Sequence, residues 1–418
     1  MNKKIRVALV FWVYCAILIT FNEFIGLFVS KAFMRVGYIF LMVLFFGTTL
    51  DRYNFKVKLS KTDWIVLTYI AYTFFRGLLQ LVSGNAIIGT VMTWGQNWIP
   101  VGSYFIARDL KDTERKTIEY LFVLLSAISV TMGFLNTKIN FLPKEGAFAG
   151  GLYADTGNGS LQLRGYSMAG IALITGFICG YSLCLLLNLK IEKKQKIALI
   201  VVNLFGCLNS LSRGAVAFVV IAAGIYLLIL MPRKKKYILK RKVIDIVMIS
   251  LIGIAFIAMK IDKITSSKFF GRFFTAGISR TEGSNFYRTE FQHNAFNMFM
   301  QSPVFGKGYG FTGYQAISAG VEGTINTESY ILSLSISAGI IGLVLFAAVA
   351  IKSLIKYDKR FLKYACTVTG MLTWSCMYIL LDSDLIGLFY WYCIGALGER
   401  KNPNEKNTVL HACGMELD

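Results

Sequence analysis

The chain has 418 residues, 55% of them hydrophobic and 16% charged, with 5 prolines and a mean hydropathy of +0.57. Soluble globular proteins carry roughly 25% charged residues, so the composition argues against a water-soluble enzyme. The 44 Lys and Arg against 23 Asp and Glu give a net +21, an excess that in so apolar a chain reports membrane orientation rather than a nucleic-acid partner.

A basic start (Lys3, Lys4, Arg6) precedes an apolar run from Val7 with no small-residue cleavage site behind it, which predicts a retained first span. A membrane helix needs about 20 mainly apolar residues. The polar breaks then give about twelve spans, at 7–29, 33–50, 64–83, 86–107, 117–135, 165–188, 197–211, 214–231, 243–260, 329–351, 363–381 and 385–398. The predicted fold is an all-α polytopic membrane protein, a single integral domain over residues 1–418.

With the N-terminus inside, 30 of the 44 Lys and Arg fall on cytoplasmic segments, including the run from Arg233 to Lys242. Both termini are then cytoplasmic, with 399–418 as a tail. The long polar segments 136–164 and 261–328 become external loops, and connections of that length usually do something. The second has a helical pattern over Asn285 to Met300, with Phe286, Phe291, Phe296 and Phe299 among polar residues. Eight cysteines without a CxxC predict reduced packing residues. Two histidines, His293 and His411, are too few for a histidine-rich metal site, and no cofactor is expected.

Charged residues at a membrane boundary are costly and so are functional candidates. Arg164 lies where the first long loop enters its next span, behind a Gly-rich stretch, Gly146 to Gly159, that reads as a lid or sugar-contacting loop or as an ordinary loop. Arg213, in Asn209-Ser-Leu-Ser-Arg-Gly-Ala215, suits a lipid phosphate held at the outer leaflet, or is an arginine snorkelling from a tight turn. Arg288 shares a helix face with Gln292 and Phe296. The glycines at 306, 308 and 310 superficially suggest a nucleotide loop, but no strand precedes them and they lie outside. A tight glycine turn beneath a membrane-surface helix is expected instead. Glu328 heads the tenth span, either stabilising the helix N-terminus or acting as a general base. Glu23, Asp382 and Asp384 are further candidates that nothing in the sequence groups together. His293 has no Ser or Asp partner at a spacing that would suggest a hydrolase triad. Three arginines and one carboxylate on one face suit a diphosphate at the lipid headgroups with a polar extension in the loops.

Four motifs together resemble the O-antigen polymerase (Wzy) and O-antigen ligase superfamily. They are Leu163-Arg-Gly-Tyr-Ser-Met-Ala169, Ser212-Arg-Gly-Ala215, Tyr287-Arg288 with Ser302-Pro-Val-Phe-Gly-Lys-Gly-Tyr-Gly310, and Glu328-Ser-Tyr-Ile-Leu-Ser-Leu-Ser-Ile-Ser-Ala-Gly-Ile-Ile-Gly342. The resemblance covers residues 160–345. It implies a membrane glycosyltransferase for O-antigen, capsule or exopolysaccharide repeats in a bacterial cytoplasmic membrane. Its partners would be polyprenyl-diphosphate-linked oligosaccharides, of the undecaprenyl diphosphate kind, the bilayer, and a flippase and chain-length regulator of the same pathway. Carried over, Arg164, Arg213 and Arg288 would bind the diphosphate, and Glu328 with Arg288 would be catalytic. Ligases typically carry His where this chain has Glu328, which favours polymerase over ligase. The Arg-x10-Gly spacings of some polymerases occur twice, Arg213 to Gly224 and Arg272 to Gly283, but among 38 glycines these carry little weight. A lipid-linked-sugar flippase, the other alternative, would show short external loops and polar residues deep in the spans.

Overall fold

A computed structural model gives the fold and describes residues 6–52, 59–84, 87–139, 153–155, 161–163, 167–170, 172–210, 212–230, 284–313, 317, 322–355 and 361–398. The chain forms α1 (Val7–Thr20), α2 (Asn22–Gly26), α3 (Lys31–Arg52), α4 (Lys61–Val82), α5 (Ile87–Trp98), α6 (Ser103–Asp109) and α7 (Asp112–Ile139). A short hairpin follows, β1 (Tyr153–Asp155) and β2 (Leu161–Leu163), with Tyr153 opposite Leu163. Then come α8 (Ala172–Leu186), α9 (Lys193–Asn209), α10 (Arg213–Leu230), α11 (Ser284–Met300), α12 (Tyr330–Ile355), α13 (Leu362–Met377) and α14 (Asp384–Leu397). The hairpin is the one small departure from the all-α expectation among these elements. The predicted span 243–260, Arg164 and the tail 399–418 lie outside the described residues.

Among the described residues, four helices are long and apolar enough to cross a membrane, at Lys31–Thr49, Lys61–Val82, Asp112–Asn136 and Tyr330–Ile355, while α1, α8, α10 and α14 are apolar but shorter. The fourth predicted span is divided. Pro100, which has no N–H to donate, lies in a 3-10 turn (Ile99–Gly102) that separates α5 from α6.

α3 illustrates how the sequence addresses lipid and protein at once. Met34, Tyr38, Met42 and Phe45 are buried at helical spacing, while Phe33, Val36, Phe40 and Val43 are equally apolar yet exposed on the opposite side. A helix apolar all round with one face outward is suited to lipid rather than water. α14 is buried along its whole length and is the central element. Trp12 of α1 meets Phe389 and Tyr392 edge-on, and Phe122 of α7 meets both Tyr181 and Phe389. Six of the seven described cysteines are buried and unpaired, and Cys376 is exposed.

The apolar core separates two polar ends. At one, Ser60 and Asp63 form a reciprocal capping box on α4 (2.6 and 3.2 Å), and Asp63 is fully enclosed with Arg108 and with Tyr104 at 2.9 Å. Arg6 pairs there with Asp109 and with Glu114 at 2.7 Å. Deeper at this end, Lys363 Nζ donates to Glu119 at 2.5 Å, and Tyr364 donates to the other carboxylate oxygen. Removing one partner of a buried pair costs more than removing both. Glu119→Leu should therefore cost roughly 3–5 kcal/mol of stability, and adding Lys363→Leu should recover most of it. Thermal unfolding of the purified protein in detergent checks this, and a double variant no better than the single would refute it.

Candidate active site

The opposite end of the bundle carries the described residues among those that the sequence singles out. The turn between α9 and α10 is built from Asn209-Ser-Leu-Ser-Arg-Gly-Ala215. Ser210 Oγ donates to Cys207 O at 2.7 Å and accepts from Ser212 N at 3.3 Å, and Ser212 Oγ accepts from Ala215 N at 3.4 Å. This caps α10 and makes Arg213 its first residue. The turn is packed tightly, Gly214 lying against Trp374 of α13 and Ala215 against Gly176 of α8. One residue past Trp374, the carbonyl of Ser375 accepts from Ser329 Oγ at 3.5 Å. The backbone of Arg213 and that of Glu328 are thus linked through the end of α13. Arg288 lies on α11, which begins one residue before the predicted Asn285 and packs on α12.

Glu328 is half-buried, and it is the one non-glycine residue with positive φ (49°) among the described residues. Such a conformation is held only where the surroundings impose it. Asn326 imposes it locally, donating from Nδ2 to Glu328 Oε1 at 3.0 Å and accepting from Glu328 N at 3.3 Å. Ser329, not Glu328, holds the capping position of α12, its Oγ accepting from Leu332 N at 3.5 Å and its carbonyl from Ser333 N at 3.0 Å.

The glycine-rich segment Ser302–Gly313 departs from the turn expected beneath a surface helix, because it is inserted between α4, α5 and α12. α12 breaks at Gly339 (φ 68°), where a Cβ would run into the carbonyl of Val304. Gly306 (φ 75°) makes the matching turn in the loop. Lys307 N donates to Ile336 O at 2.7 Å and Ile340 N to Pro303 O at 2.9 Å, so the loop takes up helix groups that the break frees. Thr90 Oγ1 donates to Tyr309 O at 3.0 Å and Thr93 Oγ1 accepts from Gly310 N at 2.9 Å, fastening the loop to α5.

Among the remaining acids, Glu23 pairs with Lys31 at 2.7 Å, and Asp384 accepts from Arg35 at 2.7 Å and Tyr38 at 3.0 Å. Asp382, in a 3-10 turn (Leu380–Asp382) between α13 and α14, differs from both. Its carboxylate oxygens are enclosed, with Asn97 and Ser333 beside them and Tyr69, Tyr309 and Tyr330 within electrostatic range, on four separate parts of the chain. Burial of the carboxylate pushes Asp382 up to about 7, with Ser333 and Asn97 pulling it down more weakly. The sequence names this residue without a reason to group it. Arg76 was missed altogether, although a charge inside the predicted span 64–83 was signal enough. His293 is exposed on α11. No cluster of three or more His, Cys, Asp or Glu suited to a metal occurs among the described residues.

A carboxyl that keeps its proton more firmly when folded contributes stability below its unfolded pKa of 3.8 and loses it as pH rises to about 7. Asp382→Asn, which mimics the protonated form, should match the parent near pH 4, gain on it up to pH 7, and stay ahead above. Unfolding midpoints at pH 4, 5.5, 7 and 8.5 test this, and a pH-independent difference would count against it.

The family model Wzy_C, described as O-Antigen ligase, matches residues 198–347. No curated protein matches the chain. The matched stretch, 150 of the 418 residues, runs from α9 into α12 and contains Arg213, Arg288, the glycine loop and Glu328, and over that stretch the chain is similar to the O-antigen polymerase and ligase superfamily.

Proposed function

We propose that the chain is a polysaccharide polymerase. It transfers a glycan from polyprenyl diphosphate to a lipid-linked repeat unit at the outer face of a bacterial cytoplasmic membrane, through about twelve spans with both termini inside. The observation that carries this reading is the family match over Arg213, Arg288 and Glu328, together with the contacts that link the turn bearing Arg213 to the head of α12. The acid-base pairs at the other end of the bundle support the orientation, since they accompany the basic loops.

In the reaction the acceptor hydroxyl oxygen bonds to the anomeric carbon as the bond from that carbon to the diphosphate oxygen breaks, with inversion. The electron pair leaves on the diphosphate, where Arg164, Arg213 and Arg288 stabilise the added charge in a low-dielectric setting. Glu328 accepts the hydroxyl proton. The diphosphate linkage is already activated, so neither nucleotide nor ion gradient enters. A ligase reading shares this chemistry and is the one the family description favours by name. Glu328 in place of the ligases' histidine favours the polymerase.

Arg213→Ala or Arg288→Ala should abolish polymer, a loss of at least 100-fold, while the protein still inserts; unchanged polymer length and amount would defeat the diphosphate assignment. Glu328→Gln should lose far more activity than Glu328→Asp, whereas equal activities would mark a structural carboxylate. In a deletion strain, a polymerase predicts surface glycan reduced to a single repeat, and a ligase predicts long chains left on the lipid. Single cysteines placed at exposed positions of 285–325, such as Glu290, Gln301 and Glu322, should react with a membrane-impermeant reagent from the outside only.

A further inference from the structure

A polymerase of this kind must hold two lipid diphosphates at once, one leaving and one on the acceptor. On the polymerase reading, the arginine of the α9–α10 turn serves one of them. Arg213 is on α10, which packs on α13 and α8, whereas α4 packs on α12 and α5. α12 and α13, which pack together, stand between the two helices. Each helix-to-helix step is about 8–10 Å, so one diphosphate does not reach both α10 and α4.

On the α4 side lies a second pair of cations. Arg76 is six residues from the end of α4 at Val82, about 9 Å along the helix. Its Nη2 donates to Gly306 O at 3.0 Å, and its Nε is enclosed with no hydrogen-bond partner. The next residue of the loop, Lys307, has its ammonium 5.1 Å from the centre of the Phe311 ring. No carboxylate of the described residues pairs with either cation. Tyr309, fully buried beside them and within electrostatic range of Arg76, has a hydroxyl without a hydrogen-bond partner. Two cations without a counter-ion at the edge of a membrane span are costly and call for an anion. One carbonyl uses a single one of the five guanidinium donors. The flanking surface is apolar and outward-facing, formed by Phe75, Leu79 and Val82 of α4 with Val304 and Phe305 of the loop, which suits an anion that arrives on a lipid tail.

We infer that Arg76 and Lys307 form a second phosphate site, which holds the diphosphate of the acceptor lipid while Arg213 holds that of the donor. This inference rests on the polymerase reading and adds to it the place of the acceptor. Phosphate chemistry alone would also admit a bulk anionic phospholipid, so both lipids enter the test.

The experiment is native mass spectrometry of the full chain in detergent, titrated separately with farnesyl diphosphate and with phosphatidylglycerol. The parent protein should take up two diphosphates. Lys307→Gln, whose ammonium makes no hydrogen bond to a described residue, and Arg76→Lys should each weaken one of the two by about tenfold. Lys307→Arg should retain it, and Arg213→Ala should weaken the other. Two diphosphates bound equally well by Lys307→Gln, or uptake of only one by the parent, would overturn the second site. Loss of phosphatidylglycerol with both diphosphates kept would overturn the acceptor assignment in favour of a phospholipid. No diphosphate on the parent at all would instead bring down the polymerase reading, a result distinct from the others.

Discussion

An α-helix interrupted inside an apolar span frees N–H and C=O groups where no water can reach them, and each left unmet costs several kcal/mol. α12 is interrupted in this way at Gly339, nine residues from its start at Tyr330, or about 14 Å along the axis. Its freed groups are met by a loop from elsewhere in the chain. Ile336 O accepts from Lys307 N and Ile340 N donates to Pro303 O, while Tyr72 of α4 donates to Ala338 O at 2.7 Å. The loop is held in turn by Arg76 through Gly306 O and by the threonines of α5. Break, loop and clamp therefore form together or not at all. A side chain on Gly339 would displace the Val304 carbonyl and with it the loop.

This dependence separates what the sequence reveals from what it hides. Helices were legible because their apolar runs are long, as in α3, where even the exposed face is Phe33, Val36, Phe40 and Val43. The helix of the second long loop was legible from its spacing, to within one residue. Glycines at 306, 308 and 310 announced a turn, but where the turn docks depends on Gly339, a residue 33 positions after Gly306 that reads as ordinary inside an apolar run. Asp382 was visible as an acid near a span end, yet its enclosure comes from residues as distant as Tyr69, Asn97 and Ser333. Asp384 and Glu23 had the same local appearance and are ion-paired instead, with Arg35 and Lys31. Sequence spacing carries no information about such partners, which come from helices far apart in the chain.

The same contacts join the glycine loop to the candidate chemistry. Glu328 is held at φ 49° by Asn326 within the segment that leads from the loop into α12, and Tyr330 N donates to Tyr378 O at 3.2 Å, close to the turn that bears Asp382. Thr312 of the loop exchanges a hydrogen bond of 3.0 Å with Ser333, the residue that also faces Asp382. A shift of the loop would therefore be felt at both carboxyls. Glu328 and Asp382 are both half-buried residues with enclosed carboxylate oxygens. On this view the loop motif belongs to the site because it sets where α12 begins and which way its head faces. That is a mechanical requirement the glycines meet without touching substrate.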